Sequence, residues 1–444
     1  MTRPPRCDRR RVALPWWLCG LLLWLAQGAT AVQAQERVRL EDVVAQARTA
    51  PSAIHAAMAA LRRELRERDR LAGGRLPALT VEGVAGVVYD NRPVLPGPPV
   101  IRFDSTTLGV SGSATAEWTL LDAARRRRIQ AADARAKQQE QTVEEVRRAA
   151  VWDATQLFFR ARAAQLLVDE ADTTLARRSE QLQAIAGLVD AGRRPIVDQQ
   201  RATLEVVAAR HALDIRRVEA RSLGIGLAVA MGREPTQPVR PDPEDTIPVP
   251  PRALEDVVKR GTARHPTLAR LQAGVQAREA EHGAALASRW PTLGLSLSGS
   301  AGYNDIRSGN GVSGHLFGGT AAAFVRWRGL DPTIWREARV AEAALDQARF
   351  AYEHEALGVR ADVTQAALEV ERTGAALAQA EELLASASVV REAQDARYQR
   401  GLSSVLELLD AAALEQQSRV GRIEADLQSE LAVARLALLC GELD

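Results

Sequence analysis

The chain is poor in cysteine, histidine, lysine and long apolar runs, and each shortage removes a class of function. Only three of its 444 residues are cysteine: Cys7, Cys19 and Cys440. Two of these fall in a leader-like start, so no disulfide is left for one chain to make, and no CxxC or Cys/His ligand spacing occurs. The six histidines are scattered without HExxH or any other paired spacing, and neither a metal nor a cofactor is implied. No GxSxG, phosphate loop or dinucleotide fingerprint appears; the glycine-rich run 299–319 lacks the Lys-Ser/Thr pair of a phosphate loop. Lysine is confined to Lys137 and Lys259, and the net charge is only +2, so there is no electrostatic footprint for nucleic acid. After the first 34 residues no apolar stretch approaches the ~20 residues of a membrane helix. An exported chain of this kind reaches a membrane only through β-strands.

What is present is a composition normal for a folded chain, 46% hydrophobic and 26% charged. Residues 1–34 read as a secretory signal. Arg3, Arg6 and Arg9 to Arg11 make a basic start, Val12 to Ala26 an apolar run, and Val32-Gln33-Ala34 a small-residue site for cleavage before Gln35. Arg9-Arg10 leaves a twin-arginine signal open, whereas Cys19 lacks the small residues that precede a lipidated cysteine.

The chain is a duplicated unit. Leu40-Glu41-Asp42-Val43-Val44 recurs as Leu254-Glu255-Asp256-Val257-Val258, and Arg75-Leu76-Pro77 as Arg289-Trp290-Pro291. Trp118 and Leu121-Asp122 recur as Trp327 and Leu330-Asp331, and the same offset carries Gly192 to Gly401 and Gly232 to Gly441. Two repeats follow, 36–234 and 252–444. They are joined by 235–251, where seven prolines in seventeen residues predict a semi-rigid extended linker.

Each repeat predicts a helix, a β-hairpin (77–120 and 291–328), a very long helix and a return helix. The first helices are expected at about 40–71 and 254–287, the long ones at 122–185 and 332–399, and the return helices end near Met231 and Leu439. The seam Val143, Val146, Ala150, Leu157, Ala161 and Ala164, continuing to Ile185, has coiled-coil spacing, and its alanines allow close helix approach. Between Leu108 and Leu120, Val110, Gly112, Ala114, Ala116 and Trp118 alternate with Ser111, Ser113, Thr115, Glu117 and Thr119. Such strands suit the wall of a water-filled barrel, or equally an ordinary half-buried sheet. Trp118, Trp290, Trp327 and Trp335 stand near strand–helix junctions, as a membrane-interface belt would. Four strands cannot close a barrel, so a membrane reading requires several chains to share one. Asp90–Pro99 and Tyr303–Gly319 read as the hairpin loops.

Taken together, the duplicated halves, the Leu-Glu-Asp-Val-Val openings, His265-Pro266-Thr267-Leu268, the two glycine turns and Tyr398-Gln399-Arg400-Gly401-Leu402 before Glu407-Leu408-Leu409-Asp410-Ala411 resemble the TolC-type outer membrane efflux protein family. The resemblance covers nearly the whole mature chain. It implies a mainly helical homotrimer of a Gram-negative cell, in which twelve strands form one outer-membrane barrel and the helices form a tunnel through the periplasm. It also implies a periplasmic adaptor and an inner-membrane pump as partners. Glu407 and Asp410 fall where the family rings its constriction with acid; their first-repeat counterparts are Asp198 and Arg201. Asp198 and Tyr398 are expected in tip closure. The family's bonding arginine, two positions after the second glycine, is here Ser403, with Arg397 or Arg400 as substitutes. Gly192, Gly401, Leu402 and Ser403 are expected to dock the adaptor, although Arg193 stands where the first tip usually has an apolar residue. The rivals are a soluble periplasmic coiled-coil adaptor or scaffold, and an enzyme.

Overall fold

The computed structural model describes residues 37–49, 52–93, 102–245, 247, 254–263, 265–307 and 312–442; the expected leader lies outside them. The first repeat runs β1 (Arg37–Val38), α1 (Leu40–Ala47), α2 (Ser52–Gly73), β2 (Ala78–Pro93), β3 (Arg102–Leu121), α3 (Ala123–Asp190) and α4 (Ile196–Ala230). After β4 (Arg240–Pro241) the second runs α5 (Leu254–Ala263), α6 (Pro266–Ala287), β5 (Thr292–Arg307), β6 (Val312–Arg326), α7 (Pro332–Gln399) and α8 (Val405–Leu439).

The long helices α3 and α7 have 68 residues each, about 100 Å at 1.5 Å per residue. Both start on an aspartate at the same repeat position. Asp122 accepts from the Ala124 and Arg125 amides at 2.9 and 3.2 Å, and Asp331 from the Thr333 amide at 3.0 Å, satisfying donors that a helix start leaves unpaired. The named seam positions of α3 are all buried or half-buried. The short helices lie along the long ones: α1, α2 and α4 on α3, and α5, α6 and α8 on α7. Packing of α3 against α6 and α8 joins the repeats sideways. Where one opening helix per repeat is expected, the structure has two. Pro266 begins α6, where its missing N–H costs nothing, and the corresponding break in the first repeat falls at Pro51 in the sequence.

The largest core cluster gathers Val38, Leu40, Val43, Phe158, Phe159, Leu227 and Met231 midway along the helices. The proline-rich linker contributes to it. Arg240–Pro241 pairs in parallel with Arg37–Val38, which seats Val239 in the cluster. Beside it, buried Arg162 of α3 reaches Asp426 and Glu430 of α8 at 3.2 and 2.8 Å and the Asp245 carbonyl at 2.7 Å. The Asp245 carboxylate accepts from the Leu40 amide at 2.6 Å. Burial pushes the Glu430 carboxyl up to about 7, against the pull of the Arg162 cation and with added repulsion from Asp426 and Asp245.

The remaining strands form one antiparallel sheet, β2-β3-β5-β6, whose edges β2 and β6 are open. Leu79, Ala116, Leu297 and Ala321 align across one face, and Thr80, Thr115, Ser298 and Thr320 across the other. The apolar face is bare: Leu79 is 72% and Phe317 81% exposed, and no helix covers either face among the described residues. Pairing continues through Asp90–Pro93, Tyr303–Arg307 and Val312–Gly319, so the strands are longer and the loops shorter than expected. A glycine-rich segment keeps its N–H and C=O groups and can extend a ladder; only proline lacks the donor. No helix among the described residues is long and apolar enough to cross a membrane.

Candidate functional site at the helix tips

At the end of the helical body far from the sheet, α3 turns into α4 and α7 into α8. Both turns use the same device. Gly192 and Gly401 adopt φ of 71° and 78°, and the following amides, Arg193 and Leu402, donate back to Leu188 O at 2.9 Å and Arg397 O at 2.8 Å. The left-handed glycine lets the chain reverse while satisfying the last helical carbonyls. The two tips pack side by side through Ile185, Ala202, Tyr398, Val405 and Leu408.

One side chain ties the tips together. Arg194 Nη2 donates to the carbonyls of Tyr398 and Ser403 at 3.0 and 3.3 Å, and its guanidinium lies 4.2 Å from the centre of the Tyr398 ring. Such a cation over an aromatic face adds roughly 0.5–2 kcal/mol. Tyr398 and Asp198 are both buried. Burial pushes the Tyr398 phenol up, the Arg194 cation opposes the shift, and the nearby Asp198 charge reinforces it. Tyr398 Oη, without a hydrogen-bond partner among the described residues, belongs to a residue that borders a cavity of about 310 Å³ shared with Arg178, Arg391 and Glu415.

The structure thus brings Asp198 and Tyr398 together, with Arg194 as the cation between the tips. Arg397 and Arg400 are exposed and stand outside this group. Ser403 is buried and is engaged through its carbonyl, whereas Leu402 is 65% exposed. Glu407 and Asp410 are both exposed in the first turns of α8, which Ser404 caps through the Glu407 amide at 3.3 Å. Their spacing places them on one helix face. Arg194 escapes the sequence reading because an arginine is sought after the second glycine. The repeat offset carries Ser403 back to residue 194, and there the arginine stands. No group of three His, Cys, Asp or Glu residues is placed to hold a metal among the described residues.

At the opposite end, where sheet meets helices, the indole N–H of Trp118 donates to Arg75 O at 2.8 Å and that of Trp327 to Arg289 O at 3.0 Å. Trp335 donates to Gly329 O at 3.2 Å and carries the Arg289 guanidinium 4.0 Å from its ring centre. These three tryptophans and Trp290 are exposed.

Residues 257–442 match the family model for outer membrane efflux proteins. No curated protein sequence matches the chain. Among solved structures, the outer-membrane channel OprN is similar with a TM-score of 0.72 at 21% identity, covering 94% of this chain and 95% of that one. CusC, described as forming a transmembrane channel, is similar with a TM-score of 0.72 at 16% identity, covering 91% and 92%. The Campylobacter jejuni CmeC outer membrane channel has a TM-score of 0.70 at 12% identity and covers 99% of this chain and 94% of its own. At these identities the structures speak for the fold over both repeats, and the family model speaks for the second repeat. The second repeat thus matches the outer membrane efflux protein family, and the chain as a whole has the fold of outer-membrane channels.

Proposed function

We propose that the chain is the outer-membrane channel of a tripartite efflux or type I secretion assembly, a passive exit duct that crosses the outer membrane and extends into the periplasm. The observation that carries this is the bare, one-face-apolar sheet with two open edges at the end of a helical body about 100 Å long. Open strand edges are not tolerated in lipid, and three copies supply the twelve strands that close a barrel. The leader 1–34 exports the chain, and the repeats 36–234 and 252–444 each contribute one hairpin and one helical rod.

In this trimer the tips form the gate. Arg194 ties the two tips of one protomer together through Tyr398 and Ser403, with Asp198 buried nearby. Glu407 and Asp410, repeated threefold, place six carboxylates around the constriction and favour cations. Gly192 and the exposed Leu402 offer the adaptor its docking points, with Gly401 and Ser403 shaping the turn, and the adaptor links the channel to an inner-membrane pump. A soluble adaptor has no use for a bare apolar sheet and would be released by a carbonate wash. Purified protein in mild detergent is expected to have the mass of a trimer and to form pores in a planar lipid film. A monomer that forms none would overturn the proposal.

A further inference from the structure

The junction of sheet and helices concentrates positive charge. Segments 72–78, 117–128, 287–293 and 324–339 carry ten arginines against four carboxylates, a larger surplus than the +2 of the entire chain. All lie within about two helical turns of a strand–helix junction. Among the described residues Arg75, Arg126, Arg336 and Arg339 have no ion-pair partner, and all four are exposed. Arg125 to Arg128 also crowd the first turns of α3, where the helix dipole favours anions, and among the described residues Asp122 is their one ion-pair partner.

The same level holds the tryptophans. Trp118 lies on the apolar face of the sheet, in line with Leu295 and Ala323, and Trp327 stands just past the end of β6, two residues after Val325 of that face. Each donates its indole N–H to the carbonyl of an arginine two residues before a proline, Arg75 or Arg289. The repeated Arg-x-Pro and Trp positions are therefore two copies of one bracket. It fixes the backbone of an arginine at the junction of sheet and helices. Arg289 is held further against Trp335, and its Nε meets no acceptor among the described residues.

We propose that this arginine–tryptophan collar is a binding surface for the anionic headgroups of phospholipids in the periplasmic leaflet. The tryptophans bury in the interface and the arginines bond the phosphates at its edge. Charge complementarity decides the occupant: unpaired guanidinium groups, a local cationic surplus and an apolar face ending at the same level match an anionic lipid. The inference rests on the outer-membrane reading above.

The test inserts the purified channel into vesicles of phosphatidylcholine with a minority of phosphatidylglycerol, extracts it in mild detergent and measures the lipids it retains. Wild type is expected to retain phosphatidylglycerol above its bulk share, on the order of fivefold for each engaged arginine at low salt. Arg75→Gln combined with Arg126→Gln and Arg336→Gln should bring the ratio close to bulk, and lysine at the same three positions should restore it. These substitutions leave both brackets, which use backbone carbonyls. Retention at the bulk ratio by wild type, or enrichment unchanged in the glutamine variant, would overturn the collar alone. A chain that enters neither these vesicles nor pure phosphatidylcholine would overturn the channel reading and the collar with it.

Discussion

Arg194 and Ser403 occupy the same position in the two repeats, 209 residues apart, and are bonded to each other, the guanidinium of one to the carbonyl of the other at 3.3 Å. A duplicated tip has thus diverged into donor and acceptor. Bonds from a charged group to a carbonyl contribute roughly 1.5–3 kcal/mol, and Arg194 makes two of them as well as its contact with the Tyr398 ring. Arg194→Ala should therefore shift the gate toward open by tenfold or more, read as higher conductance in planar lipid films. Arg194→Lys, which lacks the planar fork, should fall between the two. Conductance equal to wild type in both would remove Arg194 from the gate.

Glu407 and Asp410 project from α8 into open space in one protomer. If three copies bring them around one axis, replacing both with alanine removes six charges and should drive the cation-to-anion permeability ratio toward one. The replacement leaves the Ser404 cap, which uses the Glu407 amide. A ratio that stays at the wild-type value would place the pair outside the constriction.

Gly401 has φ of 78°, and a Cβ there would meet nothing within 4 Å. The cost of substitution is thus conformational, about 1–2 kcal/mol for an alanine in the left-handed region. Thermal melting should rank glycine above asparagine, asparagine above alanine and alanine above valine. A bulky residue tolerated without loss would show that the turn can reverse in another way.

The architecture is legible in the sequence because repetition and periodicity are long-range signals. Leu40 and Leu254, Trp118 and Trp327, and the seam from Val143 to Ile185 all mark elements that the structure contains. The exact helix breaks are less so. Pro266 reads in the sequence as one residue in a helical pattern, yet it divides α5 from α6. Strand ends are harder still, since the ladder bonds backbone to backbone and Val312 to Gly319 pair despite their glycines. The Arg194 contact is legible only when the repeats are overlaid, because its partners lie 204 and 209 residues away. The Arg162 network shows the same limit: nothing local ties it to Asp245, Asp426 or Glu430.

That network makes stability depend on pH. The Glu430 carboxyl has an ordinary value of 4.5 and stands at about 7 in the folded chain. The native state therefore holds a proton that the unfolded chain has released, and this contribution is lost as pH rises from about 4.5 to 7. Glu430→Gln has no such proton. Melting of wild type relative to Glu430→Gln should therefore decline across this interval and level off above it. A difference that rises with pH, or stays flat, would mean that the ionised Glu430–Arg162 pair outweighs burial.

Ala114 and Thr115 are neighbours in β3 whose side chains point to opposite faces of the sheet. Ala114 aligns with Val81 and Gly299, Thr115 with Thr80 and Ser298. Ala114 lies about 13 Å along the strand from Trp118, close to mid-bilayer if the tryptophans mark the interface. An arginine facing lipid at that depth costs roughly 2–4 kcal/mol, whereas one facing a water-filled lumen is tolerated. Each substitution enters the barrel three times. Ala114→Arg should therefore abolish detergent-stable trimers, and Thr115→Arg should leave them intact while reducing cation conductance. The reverse pattern would turn the sheet inside out; equal tolerance would argue that neither face meets lipid.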